Sequence, residues 1–492
     1  MSPSAKSLST CLLACALVLA AACSSLPRID LGDIAGVDEI ARLAATPAVV
    51  VPAAPTAAPP TVSTAALVRQ RSAIRVGIRY DAPPLARVNA DGELEGLDVD
   101  LAREFARRWL GSERNVEFVQ VTSQSAARKV SNREVDLALG GLIHTRSADA
   151  VADFSLRYLY DGEAILVRAG EFADFPSMAR RTVTYIDFPS AAALGDAQVA
   201  LNITVSLQVR NSYRAAINDL LAGATDGVIG RWRRLRATAA SDPALAVGSV
   251  LTVEPVAIML PKNDSDWADL VNLTLSAMAA DGTFGKMYEK WFGAPPDPIE
   301  RIAQPLALQL ASLPDAIAPG DRLSTIRTSG LVRIGFDPRA TPFTVLNERG
   351  EPTGYEVELM REMARRWFGN PAQVQFTALP PEQFAGALAG GTIELAIGGI
   401  RRTGQNERAM DFSIATFSSG DVPLGIALPA NDSALRDLVN FTLQDMWADG
   451  AFARIFQRWF PDQPVNAITP WPGSGPGIKV LLAGTPETTL QP

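Results

Sequence analysis

The segment VDLALGGLIHTRSADAVADFS, Val135–Ser155, is the most informative part of the chain, because a second version of it, IELAIGGIRRTGQNERAMDFS, follows at Ile393–Ser413. Each version opens with a short apolar run, which predicts a buried strand. Each run ends in Gly-Gly and leads through a polar loop to Asp-Phe-Ser. The shared order of these features indicates an internal repeat.

The repeat extends outward from these segments in two different registers. The tetrapeptide ARRW at Ala106–Trp109 recurs at Ala364–Trp367, a shift of 258 positions. A later block, Leu260–Ser265, recurs at Leu428–Ser433 with a shift of only 168 positions. The two shifts differ by 90 residues, so the second copy lacks the equivalent of about residues 163–252.

Strand and helix patterns alternate along the first copy. The apolar run Ile74–Tyr80 predicts a strand, and apolar residues at helical spacing predict an amphipathic helix over Gly96–Leu110. Within residues 163–252 the pattern starts afresh, with strands predicted at Thr182–Ile186 and Gly227–Gly230. Strands that alternate with helices favour an α/β fold with a mainly parallel sheet. The middle segment is then a second small α/β lobe inserted into the first.

Composition excludes several classes of function. The 492 residues carry a net charge of −8 and no basic block, which argues against nucleic-acid binding. All three cysteines lie within the first 23 residues, so a disulfide scaffold, a structural zinc site and a thiol enzyme are disfavoured. The single histidine, His144, leaves little room for a histidine metal site or a Ser–His–Asp triad. We therefore expect no metal, no cofactor and no catalytic residue.

The N-terminus has the pattern of an export signal. Lys6 precedes an apolar run over Leu8–Ala22, which is too short to span a bilayer core of about 30 Å. The sequence LAAAC at Leu19–Cys23 resembles a bacterial lipobox, which predicts a signal peptide over residues 1–22 and a lipid on Cys23. The alternative is ordinary signal-peptidase cleavage with a spare thiol. Residues 23–66, rich in Ala and Pro, are predicted to form a lipidated tether.

Three ordered motifs point to one family. The segment VDLALGGLIHT…ADFS, the helix GLDVDLAREFARR at Gly96–Arg108 and the helix DGTFGKMYEKWFG at Asp281–Gly293 together resemble the family 3 extracellular solute-binding proteins. Members are two-lobed amino-acid receptors of ABC importers. The resemblance implies a type II periplasmic-binding-protein fold, with a ligand held between two lobes that close about a hinge.

The resemblance and the repeat together predict the domain organisation. Residues 67–294 form a complete two-lobed module, with the inserted lobe at about 163–252. Residues 295–321 are a linker, and 322–461 are a second module reduced to lobe one. The two hinge crossings of that copy are joined directly at Gly420-Asp421, so it offers half a cleft and we expect a structural or partner-binding role. Residues 462–492 are expected to form a flexible tail.

The ligand loop departs from the amino-acid-binding pattern that the resemblance implies. The position of the carboxylate-binding arginine holds Ala148. The two positions at which acidic groups meet the ligand ammonium hold Arg79 in lobe one and Arg231 in lobe two. Thr145 is as expected, and Gly141 gives access to the backbone.

One interpretation is that Arg79 and Arg231, with Arg146, clamp an anionic ligand such as an organic acid. Ser190 corresponds to a ligand-contacting hydroxyl of the family, or caps the following helix. The alternatives for the cleft are a decayed site with solvated arginines, or amino-acid binding by other groups.

Two further groups of residues leave alternatives open. His144 either polarises a ligand, as an acid/base in a dehydratase-like enzyme, or is a hydrogen-bonded loop residue, and the second is favoured. In the second copy, Asp337 keeps the acidic position, whereas Arg401 and Arg402 replace ligand-loop residues. Without an opposing lobe, these residues lie either on the surface or against another protein surface, including the first copy.

The sequence therefore predicts a non-enzymatic solute-binding lipoprotein that captures a small, anionic solute and presents it to a transporter or sensor. The alternatives are a cell-envelope scaffold with a degenerate site and, more remotely, a dehydratase-like enzyme. The expected partners are a small-molecule ligand, an ABC permease or other envelope protein, and a membrane through the lipid, with no nucleic acid. The expected location is the periplasm. Because Ser24 follows Cys23, the outer membrane is the default in a Gram-negative host.

Overall fold

The computed structural model describes residues 62–172, 174–296, 298–420 and 422–465, together with Ile468, Trp471, Ile478 and Leu482. The predicted signal peptide, the lipidation site Cys23 and the tether up to residue 61 lie outside the described residues. Within the described ranges, no helix combines the length and the apolar character that crossing a membrane requires.

Lobe one of the first copy is built from alternating strands and helices. Its elements up to the first hinge strand are α1 (Thr64–Arg71), β1 (Ile74–Ile78), β2 (Asp81–Ala82), β3 (Ala86–Val88), β4 (Leu94–Glu95), α2 (Leu97–Leu110), β5 (Val116–Gln120), α3 (Ser123–Ser131), β6 (Leu137–Leu139), α4 (Arg146–Asp149), β7 (Asp153–Phe154) and β8 (Leu159–Asp161).

Lobe two is inserted after β8, and the chain then returns to lobe one. The elements of lobe two are β9 (Glu163–Arg168), β10 (Thr182–Tyr185), α5 (Phe188–Leu201), β11 (Ser206–Val209), α6 (Tyr213–Leu221), β12 (Gly227–Arg231), α7 (Trp232–Ser241) and β13 (Leu245–Val250). The returning elements are β14 (Glu254–Val256), β15 (Met259–Leu260), α8 (Ser265–Ala280) and α9 (Thr283–Phe292).

The second copy repeats lobe one alone. Its elements are α10 (Arg322–Ser329), β16 (Val332–Phe336), β17 (Val345–Leu346), β18 (Pro352–Thr353), α11 (Tyr355–Phe368), β19 (Val374–Ala378), α12 (Phe384–Gly390), β20 (Leu395–Ile397), α13 (Gly404–Glu407), β21 (Asp411–Phe412), β22 (Phe417–Ser419), β23 (Val422–Leu424), β24 (Ala427–Leu428), α14 (Ser433–Ala448) and α15 (Ala451–Trp459). Short 3-10 turns lie at Pro176–Met178, Leu310–Ser312 and Pro381–Gln383.

Three five-stranded sheets organise these elements. The strand order is β5-β1-β6-β15-β7 in lobe one and β19-β16-β20-β24-β21 in the second copy, so the two sheets have the same topology. Lobe two has the order β11-β10-β12-β9-β13. In lobe one and the second copy the first strands are parallel, and β15 and β24 are antiparallel to their neighbours β6 and β20. In lobe two β10 is parallel to β11 and β12, whereas β9, the first strand of that lobe, is antiparallel to β12. The predicted α/β type II fold, a two-lobed module followed by a one-lobed copy, is confirmed.

Helix α2 shows how the sequence specifies these elements locally. Asp98 and Asp100 lie in its first turn and Arg107 in its last turn, an arrangement that matches the helix dipole. Leu101 and Phe105 are fully buried against the sheet. Gly111, at a φ of 78°, ends the helix in the left-handed conformation.

The hinge differs between the two copies in the way that the deletion predicts. In the first copy β8 pairs antiparallel with β14 on either side of the inserted lobe, with Leu159 opposite Val256. In the second copy β22 pairs with β23 in the same register, with Phe417 opposite Leu424, and a tight hairpin joins them at Gly420. Where the first copy has two hinge strands on either side of an inserted lobe, the second copy therefore has one hairpin.

The segments predicted to be flexible contribute to packing where the structure describes them. Leu310 and Leu313 of the predicted linker are buried in the core of lobe one. Helix α1 begins at Thr64, inside the predicted tether. Ile468 and Trp471 of the predicted tail pack against the modules, and Ile468 is 4% exposed. These positions carry apolar side chains whose burial outweighs the cost of ordering short segments.

Candidate functional site

The cleft of the first copy is lined in lobe one by residues that follow the sheet strands. Ligands of open α/β sheets bind at the carboxyl ends of strands, and Arg79 directly follows the end of β1. The Nε of Arg79 donates a hydrogen bond to Oδ1 of Asp81 over 3.1 Å. The Arg79 side chain is 21% exposed and that of Asp81 is 76% exposed. This ion pair is therefore accessible at the mouth of the cleft.

Arg231, the lobe-two residue predicted to clamp the ligand, is held by two carboxylates of the hinge. Its guanidinium pairs with Glu163 over 3.2 Å and with Glu254. Ser190 also belongs to this network, because its Oγ donates to Oε2 of Glu163 over 2.7 Å. Burial raises the pKa of Glu163 to about 7, although Arg231 and Ser190 act in the opposite direction. The structure thus brings Arg231 and Ser190 together, but as an internal hinge network.

Arg234 is a cleft residue that the sequence analysis missed. It lies on α7 of lobe two, and its Nη1 donates to the backbone oxygen of Asp81 in lobe one over 3.2 Å. Its guanidinium carbon lies 3.8 Å from the centre of the Tyr213 ring. Burial lowers the pKa of Arg234, and the nearby charge of Arg79 adds to this effect. The available signal was its position three residues after Arg231, in a basic stretch that opens a helix.

The conformation of the Gly140-Gly141 loop is held by hydrogen bonds to a buried acid, Asp98. The amides of Gly140 and Gly141 both donate to Oδ2 of Asp98, over 2.8 and 2.9 Å. The hydroxyl of Tyr158 donates to the other oxygen of Asp98 over 2.8 Å. Burial raises the pKa of Asp98 to about 6 against these hydrogen bonds. The amide of Gly141, predicted to face the ligand, is therefore used to hold the loop.

Thr145 and Arg146 do not meet Arg79 and Arg231 in these contacts. The Oγ1 of Thr145 accepts a hydrogen bond from the amide of Ala148 and caps α4. Arg146 reaches the second copy, where it pairs with Asp445 over 2.7 Å and donates to Oε1 of Gln444 over 2.9 Å. The loop that the family resemblance assigns to the ligand thus also supports a contact between the copies.

The two copies meet through a reciprocal set of contacts that the sequence analysis did not foresee. Oγ of Ser433 donates to Oδ2 of Asp153 over 2.6 Å, and Oγ of the equivalent Ser265 donates to Oδ2 of the equivalent Asp411 over 2.8 Å. The amides of Asn263 and Ser265 likewise donate to side chains of the opposite copy. The interface therefore has an approximate two-fold symmetry between lobe one and the second copy. The repeated Asn-Asp-Ser triplets were the available signal.

Charged side chains are buried at this interface. The Nζ of Lys262 lies 3.2 Å from Asp153 and 2.7 Å from Asp437. Arg436 pairs with Asp153 over 2.7 Å and with Asp411 over 3.4 Å, so it joins the two copies. Burial favours the neutral form of Asp153, but Arg436 and Lys262 outweigh it and lower the pKa of this carboxyl.

Three of these acids are close enough to hold a metal ion. Ligand atoms of Asp149, Asp153 and Asp437 lie within 4.8 Å of one another. The ammonium group of Lys262 contacts two of these carboxylates and the backbone oxygen of Asp149, over 2.6 Å. Because two of the three carboxylates are already neutralised by a side-chain cation of the chain itself, the donor set does not fit a metal ion.

His144 lies at the same interface. Its ring stacks between Phe154 and Trp471, with centroid distances of 4.1 and 3.8 Å. Its Nε2 lies 3.2 Å from Oδ1 of Asp149. Burial lowers the pKa of His144 to about 3, so the ring is neutral at physiological pH. This environment favours a packing role and gives His144 no contact with Arg79 or Arg231.

Comparisons with known proteins agree with this architecture. The family model described as "Bacterial extracellular solute-binding proteins, family 3" matches residues 74–294 and 332–462. The ABC transporter glutamine-binding protein GlnH of Bacillus subtilis is 26% identical over 236 residues, which cover 47% of this chain and 86% of the relative. The ABC transporter arginine-binding protein 1 of Escherichia coli is 22% identical over 225 residues, which cover 44% of this chain and 90% of the relative.

A third relative and a solved structure cover a similar share of the chain. The L-cystine-binding protein TcyJ of Escherichia coli K12 is 24% identical over 237 residues, which cover 46% of this chain and 85% of the relative. The solved ancestral cationic amino acid solute-binding protein AncCDT-1 is 26% identical, with a TM-score of 0.42, and covers 47% of this chain and 100% of its own. The two segments matched by the family model span more than half of the chain, and the protein belongs to the family 3 bacterial extracellular solute-binding proteins.

Proposed function

We propose that the complete module is an extracytoplasmic receptor that captures a small anionic solute between its lobes and presents it to a permease or sensor. The support is membership of a solute-binding family whose relatives here are named for glutamine, arginine and cystine. All three of those ligands carry a carboxylate, so the anion site proposed here would bind a chemical group that the ligands of the relatives also carry.

The observation that carries this proposal is the contact of Arg234 with Asp81 across the cleft. It brings a guanidinium from lobe two close to the guanidinium of Arg79 in lobe one, near enough for the charges to interact. Two like charges that are partly withdrawn from water are stabilised by an anion placed between them. An arginine can bind a carboxylate through two parallel hydrogen bonds, which a lysine cannot reproduce.

Closure follows from the same geometry. The two lobes are joined by the paired hinge strands β8 and β14, and an anion that contacts arginines of both lobes stabilises only the closed form. Arg231, which we predicted in the clamp, is neutralised by Glu163 and Glu254 at the hinge. We assign it a positioning role, together with Ser190, and give its place in the clamp to Arg234.

The second copy takes a structural role in this proposal. It has no lobe two of its own, and its hinge is a closed hairpin. Its α14 instead packs against lobe one through the buried ion pairs of Arg436. A buried, paired interface favours a fixed attachment over a transient one.

The first experiment is a thermal-shift screen of the chain, with Cys23 replaced by serine, against organic acids, amino acids and polyamines. A ligand present at a hundredfold excess over its Kd stabilises the native state by about 2.7 kcal/mol. We expect stabilisation by organic acids. We also expect Arg79→Gln and Arg234→Gln to weaken binding about 10- to 100-fold, because each removes a charged hydrogen bond.

A matched control is Arg214→Gln, an exposed arginine of the same lobe, which should bind as the unchanged chain does. Stabilisation by amino acids alone would overturn the anionic solute. Silence of a folded protein across the whole panel would favour the cell-envelope scaffold.

The lipid anchor is a separate part of the proposal. We place the lipid on Cys23 and the receptor in the periplasm, joined to the lipid through its tether. Metabolic labelling with a fatty acid should mark the chain, and Cys23→Ala should lose both the label and the membrane association. A labelled Cys23→Ala chain would contradict the anchor.

A further inference from the structure

A cavity of about 450 Å³ lies between lobe one and the second copy, and its lining does not include the cleft residues Arg79, Arg231 and Arg234. Its volume is in the range of small-molecule sites. Both copies line it, and most of the lining groups are polar or charged. The acidic ones that matter below are Asp149, Asp269, Glu407 and Asp411.

The repeat supplies two sets of equivalent acids at the interface, and within the described residues only the first set has ligand atoms within 4.8 Å of one another. The first group is Asp149, Asp153 and Asp437, and the ammonium group of Lys262 contacts the carboxylates of Asp153 and Asp437. That ammonium makes three polar contacts, to two carboxylates and one backbone oxygen, which is the full donor capacity of a lysine. The chain itself thus shows which chemical group such a set of acids accepts.

The second group is formed by the symmetry-equivalent residues Glu407, Asp411 and Asp269. Here the repeat differs at one decisive position, because Ala430 stands where the first copy has Lys262. The second group therefore has the acids of the first but no lysine, and all three of its members line the cavity.

The arginines nearby do not replace that lysine. Arg402 is paired with Glu407 and lies 3.6 Å from Glu300. Arg436 is shared between Asp153 and Asp411. Neither comes within ion-pair distance of Asp269.

Asp269 is consequently left without a partner. It is only 6% exposed, and no residue in the described ranges donates a hydrogen bond to it or forms an ion pair with it. A buried carboxylate without a partner is costly, and burial together with the charges of Glu407 and Asp411 raises its pKa well above the ordinary value. The equivalent residue of the first group, Asp437, is contacted by Lys262 over 2.7 Å.

We propose that this cavity is a second ligand site, which binds the primary ammonium group of a small amine at Asp269, Glu407 and Asp411, in place of the missing lysine. The bound ammonium donates to the unpaired carboxylate of Asp269 and lies beside Glu407 and Asp411, as the ammonium of Lys262 contacts two carboxylates of the first group. The short carbon chain of the amine lies in the rest of the cavity. Because the site is built from both copies, the amine holds the second copy against lobe one independently of the cleft ligand.

The test is isothermal titration calorimetry on the chain, with propylammonium chloride as the probe. Tetramethylammonium chloride at equal ionic strength is the control ion, because it has the same charge but no N–H donor. We expect saturable binding of propylammonium only. Asp269→Asn should weaken that binding at least 10-fold, whereas Asp91→Asn, at an exposed acid of lobe one, should leave it unchanged.

A second variant tests the proposal even if the Asp269→Asn chain does not fold. Ala430→Lys copies the arrangement of the first group, so it should raise the Tm of the free chain and abolish propylammonium binding. Equal binding of the two ammonium ions, unchanged binding to Asp269→Asn, or unchanged binding to Ala430→Lys would each overturn the proposal. Loss of propylammonium binding in Arg234→Gln would place the amine in the cleft and would also overturn it.

Discussion

At the scale of single residues, charged side chains are withdrawn from water where the two copies meet, which is energetically unfavourable unless they are paired. The acids Asp153, Asp411 and Asp437 are buried, and buried carboxylates are tolerated only when they are paired, here with the half-buried Arg436 and Lys262. Asp153 and Asp411 belong to the Asp-Phe-Ser motif that carried the family resemblance, yet their carboxylates accept hydrogen bonds from the opposite copy. The motif that carried the family resemblance thus also takes part in the contact between the two copies.

Arg436→Ala should be among the most destabilising substitutions at this interface. It leaves the buried carboxylates of Asp153 and Asp411 without their shared cation, so we expect a loss of about 3–5 kcal/mol in the free energy of unfolding. The matched control is Arg458→Ala, which breaks a pair with Glu358 on the surface, where about 0–1 kcal/mol is expected. Urea unfolding of both variants measures the difference, and equal losses would contradict the role of Arg436.

Glu356 provides a pH test. Burial raises its pKa from 4.5 to about 7, against hydrogen bonds from the amides of Gly398 and Gly399. A raised pKa means that the folded chain binds the proton more tightly than the unfolded chain does. The stability that Glu356 contributes is therefore fully present below pH 4.5, and it is lost as the pH rises towards about 7.

Glu356→Gln removes this titration. The free energy of unfolding of the variant should therefore gain on that of the unchanged chain between pH 5 and pH 7, by up to about 1.4 kcal/mol per pH unit. Glu358→Gln, at a half-buried position of the same helix, controls for the loss of a carboxylate from that helix. A flat difference for Glu356→Gln would contradict the raised pKa.

At the scale of elements, the hinge is the part of the fold that the sequence predicted most sharply. The two repeat registers locate the missing segment between residues equivalent to Gly162 and Thr252, and the structure pairs β8 with β14 and β22 with β23 around that gap. Strand and helix positions also followed from periodicity, because burial of one face imposes a regular pattern on the sequence. Their ends differ from the structure by a few residues at most, as β1 shows.

The cleft was predicted less completely, for a physical reason. Arg79 could be placed in the cleft because it directly follows a predicted strand. The partners of Arg231 are Glu163 and Glu254, which lie in other segments, and no sequence periodicity relates those segments to Arg231. Arg234 reaches lobe one only because the two lobes fold together. Ion pairs between distant segments leave no pattern that a single sequence can show.

Gly162 should be the most restrictive residue of the hinge. Its φ is 153°, and an added Cβ would lie 2.0 Å from the backbone oxygen of Thr252. We expect Gly162→Ala to cost about 1–3 kcal/mol in the free energy of unfolding and to weaken solute binding, because the hinge strands must move apart. Gly170→Ala is the matched control, since its φ is 82° but nothing lies within 4 Å. Equal effects of the two substitutions in denaturant unfolding would contradict this role.

At the scale of the whole molecule, the two copies differ in their architecture. The first copy keeps two lobes and a hinge, whereas the second is attached to lobe one by buried hydrogen bonds and ion pairs. The linker reinforces this attachment, because the backbone of Ala303 pairs with Arg402 and Gly404 of the second copy. The sequence showed the repeat but not the docking, since two homologous lobes can be joined in a chain without touching. The consequence of having Lys262 in the first copy and Ala430 at the equivalent position of the second can be seen only when the two copies are placed together.

The most direct test of the roles proposed for the two copies is a pair of distances measured by double electron–electron resonance. Cys11, Cys15 and Cys23 are replaced by serine, and spin labels are attached at exposed positions in lobe one, lobe two and the second copy: Gln124, Val199 and Ala372. With an organic acid found in the thermal-shift screen, the account predicts that the distance from Gln124 to Val199 shortens and narrows, while the distance from Gln124 to Ala372 stays constant. An unchanged first distance at saturation, or a change in the second, would contradict it.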